Sequence, residues 1–254
     1  GELDAAKFSA TETDQLEQLD MTISSRPVVP TWILAVNRTR NPAMRDPRVR
    51  RALNLAIDRE GLTTIFQGHA TPTSQFALPE QYGYNPALED FFAHDPEEAR
   101  RLLEEAGYGT GLALDAIVFD APERILLMEA IQAQFADVGV QLDVRIVDPA
   151  SGAQQFNVDK SADFTIGATP NPSVLSILLS QVGAGGAGNP GGDAEVEEEL
   201  AAATGALDAE SAAEALDVLT QAVADEALMF PLLKEIPAVA ARPGVTGLEM
   251  YSIG

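Results

Sequence analysis

Hydrophobic positions recur along this chain with two periods, and each change of period marks a new element. From Asp46 onward, Val49, Ala52, Leu53, Ala56 and Ile57 fall at helical spacing on one face. Arg50, Arg51, Asn54 and Asp58 fall largely on the other. Asp46 is a suitable N-cap, Pro47 suits the first helical position, and Gly61 reads as the stop. The same order returns over 94–109, where Asp95 caps and Pro96 opens the helix. Glu97 and Glu98 then complement its positive end, and Gly107 closes it. Ala99, Leu102, Leu103 and Ala106 form its apolar side, and Glu97 and Arg101 are spaced as an i,i+4 pair.

Further along, the period changes to two and back. Residues 112–120 read as a strand and 123–138 as a helix with Leu127, Ile131, Phe135 and Val138 inward, stopped by Gly139. Residues 140–147 alternate, with Val140, Leu142, Val144 and Ile146 on one face. Such a β–α–β unit predicts parallel strands joined by a right-handed crossover. A short helix near 150–158 and a strand at 162–169 extend it to a third parallel strand, giving a βαβαβ core and an α/β fold. Ligands of open α/β sheets collect at the carboxyl ends of such strands, which directs attention to 167–173.

Elsewhere, 28–38 reads as a buried strand around Trp32, Ile33 and Val36. Helices are expected at 173–182, 194–204 and 209–227, and strands within 228–233 and 238–250. Residues 1–26 resist assignment. Between the two Asp-Pro helices lies a long segment rich in Pro, Gly and aromatic residues, the kind of irregular loop that is often functional.

Charge narrows the function classes. The chain has 39 Asp and Glu against 16 Lys and Arg, a formal net charge of −23. Nucleic acid and anionic membranes are therefore poor partners, because both demand concentrated positive charge. There is no cysteine, which removes thiol chemistry and disulfides. No apolar run is long enough to span a bilayer, and the opening GELDAAKFSA lacks the pattern of a signal peptide.

Against this acidity, arginines gather in RDPRVRRALNLAIDRE, residues 45–60. Arg45, Arg48 and Arg51 could converge on an anion at the helix start. Asp46 already occupies the cap, however, and pairing with neighbouring carboxylates is the favoured reading. GAGGAG at 183–188 matches a dinucleotide-binding pattern by letter, but Asn189 and Pro190 follow where a helix should open, so a surface loop is favoured. His69 and His94 are read as structural, and EVEEE at 195–199 as a solvated helix face. No catalytic constellation emerges, and no cofactor or metal is implied.

Taken together, the motifs carry a resemblance. D-x-R-V-R-x-A-L-x-x-A-I-D-R-E over 46–60 and D-P-E-x-A-R-x-L-L-x-E-A-G-Y over 95–108 resemble the family 5 extracellular solute-binding proteins. These are the peptide/nickel-type substrate receptors of ABC importers. EAIQAQFADVGVQLDVRIVD (129–148) and the closing helices are similar to the same family.

The resemblance implies the second lobe of a type 2 periplasmic-binding-protein-like fold. Residues 1–40 would be the end of a first-lobe segment with a hinge-crossing strand. Residues 41–228 would be the second lobe, and 229–254 strands returning toward the first. It further implies a C-terminal portion of a longer receptor. That receptor would trap a peptide-like or other small solute between lobes and deliver it to a membrane permease, without catalysis. Its location would be the extracellular face of the membrane or the periplasm, with a lipid anchor carried outside this chain.

In peptide-binding members an aspartate anchors the peptide amino group; Ala168 stands at that position here, which favours a different solute. Thr169 and Asn171 at the strand end, with Gln75 and Phe76 from the irregular loop, are the candidate ligand contacts. Two other functions remain open: a ligand-sensing domain of a transcription regulator, or a nucleotide-binding enzyme using the 183–188 glycines.

Overall fold

A computed structural model describes residues 5–8, 16, 19, 21–25, 30–169, 173–186, 188–189, 192–236 and 238–245 of this chain. Both Asp-Pro pairs open helices in it. In α1 (Pro47–Ala56) the Asp46 carboxylate accepts from the Arg48 backbone N–H. In α2 (Pro96–Glu105) Asp95 accepts from that of Glu98. Each cap satisfies one of the donors that a helix start leaves unpaired.

Gly61 is not the stop expected for α1. The helix ends at Ala56, and Asp58 caps a further turn, Arg59–Leu62, by accepting from the Gly61 N–H. A Cβ on Gly61 would lie 2.5 Å from Asp58 Oδ2, so the glycine is what lets the cap close. The side-chain pairing of α2 also differs from expectation. Arg101 bonds Glu98 at 2.6 Å and, one turn on, Glu105, rather than Glu97.

The βαβαβ core forms as anticipated. Strand β5 (Leu112–Phe119) leads through α3 (Pro122–Asp137) to β6 (Val140–Val147), and through α4 (Pro149–Asn157) to β7 (Phe164–Thr169). β5 pairs in parallel with both β6 and β7. The trio is half of a six-stranded sheet ordered β4-β8-β3-β7-β5-β6, completed by β3 (Thr31–Val36), β4 (Ala70–Pro72) and β8 (Pro231–Glu235). β3 runs antiparallel to both of its neighbours, β7 and β8. A separate three-stranded sheet places β9 (Ala238–Ala241) between β1 (Ala5–Phe8) and β2 (Thr22–Ser25).

Each face of the large sheet carries its own core. On one, Trp32, Leu34, Val36, Phe164 and Ile166 pack with Val49, Leu53, Leu103, Leu127, Ile131 and Phe135. Phe164 links the layers, its ring 5.9 Å from Phe135 and 5.8 Å from Phe230. On the other, Ile33 and Phe76 meet Val174 and Leu178 of α5 (Val174–Val182). Leu216, Leu219 and Val223 of α7 (Ala209–Asp225) join them, beside α6 (Glu197–Gly205). Ile146 departs from the alternation that placed it inward: it is 58% exposed. β6 is the outermost strand, with a neighbour on one side only, so its far end is left uncovered.

The arginine cluster resolves into separate tasks, each with partners inside the chain. Arg48 pairs with Asp46 and also reaches the Glu105 carbonyl. Arg51 lies over the rings of Phe91 and Phe92, at 5.0 and 5.8 Å, and Arg45 reaches the Thr39 carbonyl. Arg50, on the polar side of the helical pattern, and Arg59, at the start of the following turn, are buried. Arg50 donates to the carbonyls of Glu226, Met44 and Arg45, with the Glu226 carboxylate 3.6 Å away. Arg59 donates to the carbonyls of Pro231, Asn54 and Phe92 and to Asn54 Oδ1. Carboxylate pairing therefore explains Arg48 but not the buried pair, whose partners are mostly backbone oxygens.

The glycine-rich segment at 183–188 has a structural explanation too. A helix, α5, precedes it rather than the strand that a dinucleotide fold requires. Its last glycine lies against Arg38, whose backbone N–H donates to the Gly188 carbonyl at 2.9 Å. A Cβ at Gly188 would fall 2.4 Å from Arg38 Nη1. Arg38 in turn grips Asp193 through two bonds, at 3.0 and 2.5 Å, and donates to the Leu228 and Gln181 carbonyls. The nucleotide-binding alternative loses its basis here.

Candidate functional site

The carboxyl ends of the parallel trio are Phe119, Val147 and Thr169. Strand pairing brings more residues to that same edge. Thr31 opens β3 directly opposite Thr169, and Lys234 is its partner on the other side. Glu235, ending β8, pairs with Ala70 at the start of β4. One rim of the sheet thus gathers Thr169, Thr31, Trp32, Lys234, Glu235 and Phe119, where open α/β sheets present their binding crevices.

Trp32 and Arg124 anchor this rim. The indole is buried, packs 5.4 Å from the Phe66 ring, and donates from Nε1 to Glu235 Oε2 at 2.8 Å. Arg124 rises from the first turn of α3, and its guanidinium lies 5.3 Å from the Phe119 ring centroid and 5.9 Å from that of Trp32. Aromatic faces attract a guanidinium and fix its plane. Nη1 donates to the Ile166 carbonyl at 2.6 Å. Burial pushes the Arg124 pKa down, and the nearby Glu123 charge opposes that shift. Lys234 is lowered for the same first reason, burial, opposed by Glu89 and Glu80; its Nζ donates to the Ala77 carbonyl at 2.7 Å. The Thr31 hydroxyl is buried without a hydrogen-bond partner among the described residues.

The residues singled out from sequence are distributed unevenly about this rim. Thr169 stands on it, half-buried, opposite Thr31. Asn171 lies outside the described residues. Gln75 is buried with its amide fully engaged: Nε2 donates to the Asn85 carbonyl and Glu89 Oε1, and Oε1 accepts from the Asn85 N–H. It holds the irregular loop together. Phe76 is buried against the sheet with Ile33 and Val174. Neither presents a free polar group at the strand ends. Ala168 pairs with Trp32 in register, so the strand end carries a methyl group beside the indole.

Sequence reasoning did not name Trp32 and Arg124 as candidates for this rim. Trp32 reads as one more apolar strand position, since pairing with distant β7 and β8 is what brings it to the rim. Arg124 did leave a trace, as the first cation after a strand end, in the opening turn of the following helix.

The family model for bacterial extracellular solute-binding proteins, family 5 Middle, matches residues 1–186. This chain belongs to that family. Among curated relatives, the dipeptide-binding protein of Escherichia coli K12 is 32% identical over 117 residues, which cover 44% of this chain and 22% of the relative. The glutathione-binding protein GsiB of Pectobacterium atrosepticum is 32% identical over 126 residues, 48% of this chain and 24% of the relative. Among solved structures, DppA of Helicobacter pylori with the peptide STSA superposes with a TM-score of 0.86 at 18% identity, over 98% of this chain and 50% of that one. AgaA of A. tumefaciens R10 with agropinic acid superposes at 0.85 and 21%, over 97% and 52%. These likenesses establish the type 2 periplasmic-binding-protein fold. The chain spans about half the length of those solved relatives, and the matched stretch about a quarter of the curated ones.

Proposed function

We propose that this chain is the ligand-gripping second lobe of a solute receptor serving an ABC importer. The solute is held at the rim formed by Thr169, Trp32 and Arg124, with Asn171, two positions beyond Thr169 in sequence, as a further candidate contact. The observation that carries this reading is the gathering of a buried indole, a half-buried guanidinium and threonine hydroxyls on the carboxyl rim, in a chain of this family. Gln75 and Phe76 act by shaping the adjoining loop. The action is capture rather than catalysis: two lobes close about the solute by hinge motion and present it to a membrane permease.

In this scheme residues 41–228 form most of the second lobe, and 1–40 and 229–254 supply segments crossing to the first. The separate sheet of β1, β9 and β2 supports such a crossing between β2 and β3 and between β8 and β9. The receptor works outside the cell membrane or in the periplasm, held by a lipid anchor. The ligands named for relatives, dipeptides, glutathione and agropinic acid, set the size range of the solute.

The test is native mass spectrometry of full-length protein purified from its own cells, to identify a bound solute. Calorimetry on the Thr169→Ala/Asn171→Ala double variant follows. A loss of affinity of about tenfold or more is expected from removing two hydrogen-bonding groups. Unchanged affinity sinks the assignment of this rim.

A further inference from the structure

We infer that β6 is a docking edge for a second copy of this chain. The two β6 strands run antiparallel, and Asp143 of each copy faces Arg145 of the other.

β6 lacks the usual guards of an open edge. It is eight residues long, holds neither proline nor glycine, and has only β5 beside it among the described strands. Its register with β5 runs without a bulge from Val140 to Val147. Exposed edges ordinarily carry prolines, lysines or bulges that discourage pairing. The charges that β6 does carry, Asp143 and Arg145, are of opposite sign and two positions apart.

The pleat decides which backbone groups are free. The carbonyls of Gly139 and Val147 accept from the N–H groups of Leu112 and Asp120, at either end of β5. Odd-numbered residues therefore bond toward β5, and Leu142, Val144 and Ile146 turn their N–H and C=O groups to the open side. Among the described residues, the Leu142 carbonyl alone of these is engaged, by Gln132 Nε2 at 2.7 Å, and a carbonyl oxygen can accept a second bond.

Self-pairing must match outward residues with outward residues. A two-fold axis at Val144 sets Val144 against Val144 and Leu142 against Ile146, each pair exchanging backbone bonds in both directions. The same axis brings Asp143 opposite Arg145 twice, where side chains approach most closely. Moving the axis one residue back opposes Asp143 to Asp143, and one residue forward opposes Arg145 to Arg145. Like charges directly opposite destabilise a strand pair, so charge selects the register centred on Val144. Both side chains are exposed, and neither forms an ion pair among the described residues. Arg145 reaches only the Ser161 carbonyl, at 3.3 Å. On the other face, the exposed Ile146 side chain comes beside Leu142 of the second copy and loses apolar surface to it. The net charge of −23 repels a second copy, and a single strand pair is a small interface. The association is accordingly weak, with a dissociation constant of about 10–100 µM.

Sedimentation velocity of the full-length protein, from about 1 µM to about 1 mM, should show a monomer–dimer equilibrium. Asp143→Arg alone and Arg145→Asp alone each place like charges at both contacts and should weaken dimerisation about tenfold or more. Mixed one to one, these two variants should form a heterodimer. The double variant Asp143→Arg/Arg145→Asp should dimerise within about threefold of wild type, because opposite charges face each other again. Recovery in the mixture also shows that the single variants are folded. The inference is overturned if the protein stays monomeric to about 1 mM, or if either single variant dimerises as well as wild type. Failure of the mixture or of the double variant to recover overturns it too. None of these outcomes touches the receptor reading.

Discussion

Replacing Asp193 with asparagine removes the carboxylate that neutralises Arg38 inside the protein. Both side chains are almost fully enclosed, 4% and 5% exposed. Asp193 receives Nε and Nη2 of Arg38 and also a longer bond, 3.3 Å, from Asn189 Nδ2. Asparagine keeps one acceptor oxygen, so a bond to Arg38 survives, but the guanidinium charge is left buried without a counter-charge. Removing one member of such a pair costs about 3–5 kcal/mol. Asparagine should fall at the lower end of that range, and alanine, which surrenders both oxygens, at the upper. For a chain of this size each kcal/mol lowers the midpoint by about 2–4 °C, so the loss amounts to about 6–20 °C.

Thermal and urea unfolding followed by circular dichroism measure it, with an unchanged urea slope showing that the unfolded reference is the same. The double variant Arg38→Met/Asp193→Leu removes both charges together and should recover most of the loss. A cost below about 1 kcal/mol for Asp193→Asn, or a double variant no better than the single, would refute the claim that this pair clasps the 183–193 loop to the end of β3.

Two further outcomes follow from the same geometry. Arg59→Lys places an ammonium where four acceptors surround a planar fork; losing one or two of those charge-assisted bonds should cost about 3 kcal/mol in urea unfolding. The cap of α7 should show in the acid limb of stability. The Asp208 carboxylate accepts from the backbone N–H groups of Ser211 and Glu210, and the Ser211 bonds foremost hold its pKa below the ordinary 3.8. A carboxylate lowered on folding stabilises at pH above its unfolded value and loses that contribution as pH falls through the lowered one. Asp208→Ala should therefore melt below wild type at neutral pH, with the gap closing below about pH 3.

The local parts of this structure were legible because their causes are local. Asp46 and Asp95 reach donors two or three residues on, and Pro47 and Pro96 fix the backbone of their own turns. Leu127, Ile131 and Phe135 recur at a spacing that only a helix can turn to one side. The parallel pairing of β5 and β6 follows from the length of the connection between them. The expected site was legible only in part, through the rule that parallel strands bind at their carboxyl ends, which led to Thr169. Gln75 and Phe76 were chosen for lying in an irregular loop. The fold gives their side chains work inside that loop instead, since a buried amide must find partners and a buried ring must find neighbours.

What the sequence determined by itself, then, is the succession of helices and strands, the family signature and the edge of the sheet proposed here for a ligand. Tertiary structure decided which polar groups go inside. Arg48, Arg50, Arg51 and Arg59 share one short stretch and one residue type, yet their surroundings range from solvent to full burial. Arg50 is enclosed because the carbonyl of Glu226, 176 positions away, accepts its protons, and Arg59 because that of Pro231, 172 positions away, does so. Arg124, half-enclosed between Phe119 and Trp32, received a single such oxygen, the carbonyl of Ile166. A helical period records which side of a helix is apolar; it holds no record of which distant oxygens will meet the other side. Those oxygens arrive only when the chain has folded, and they settle which charges can be buried.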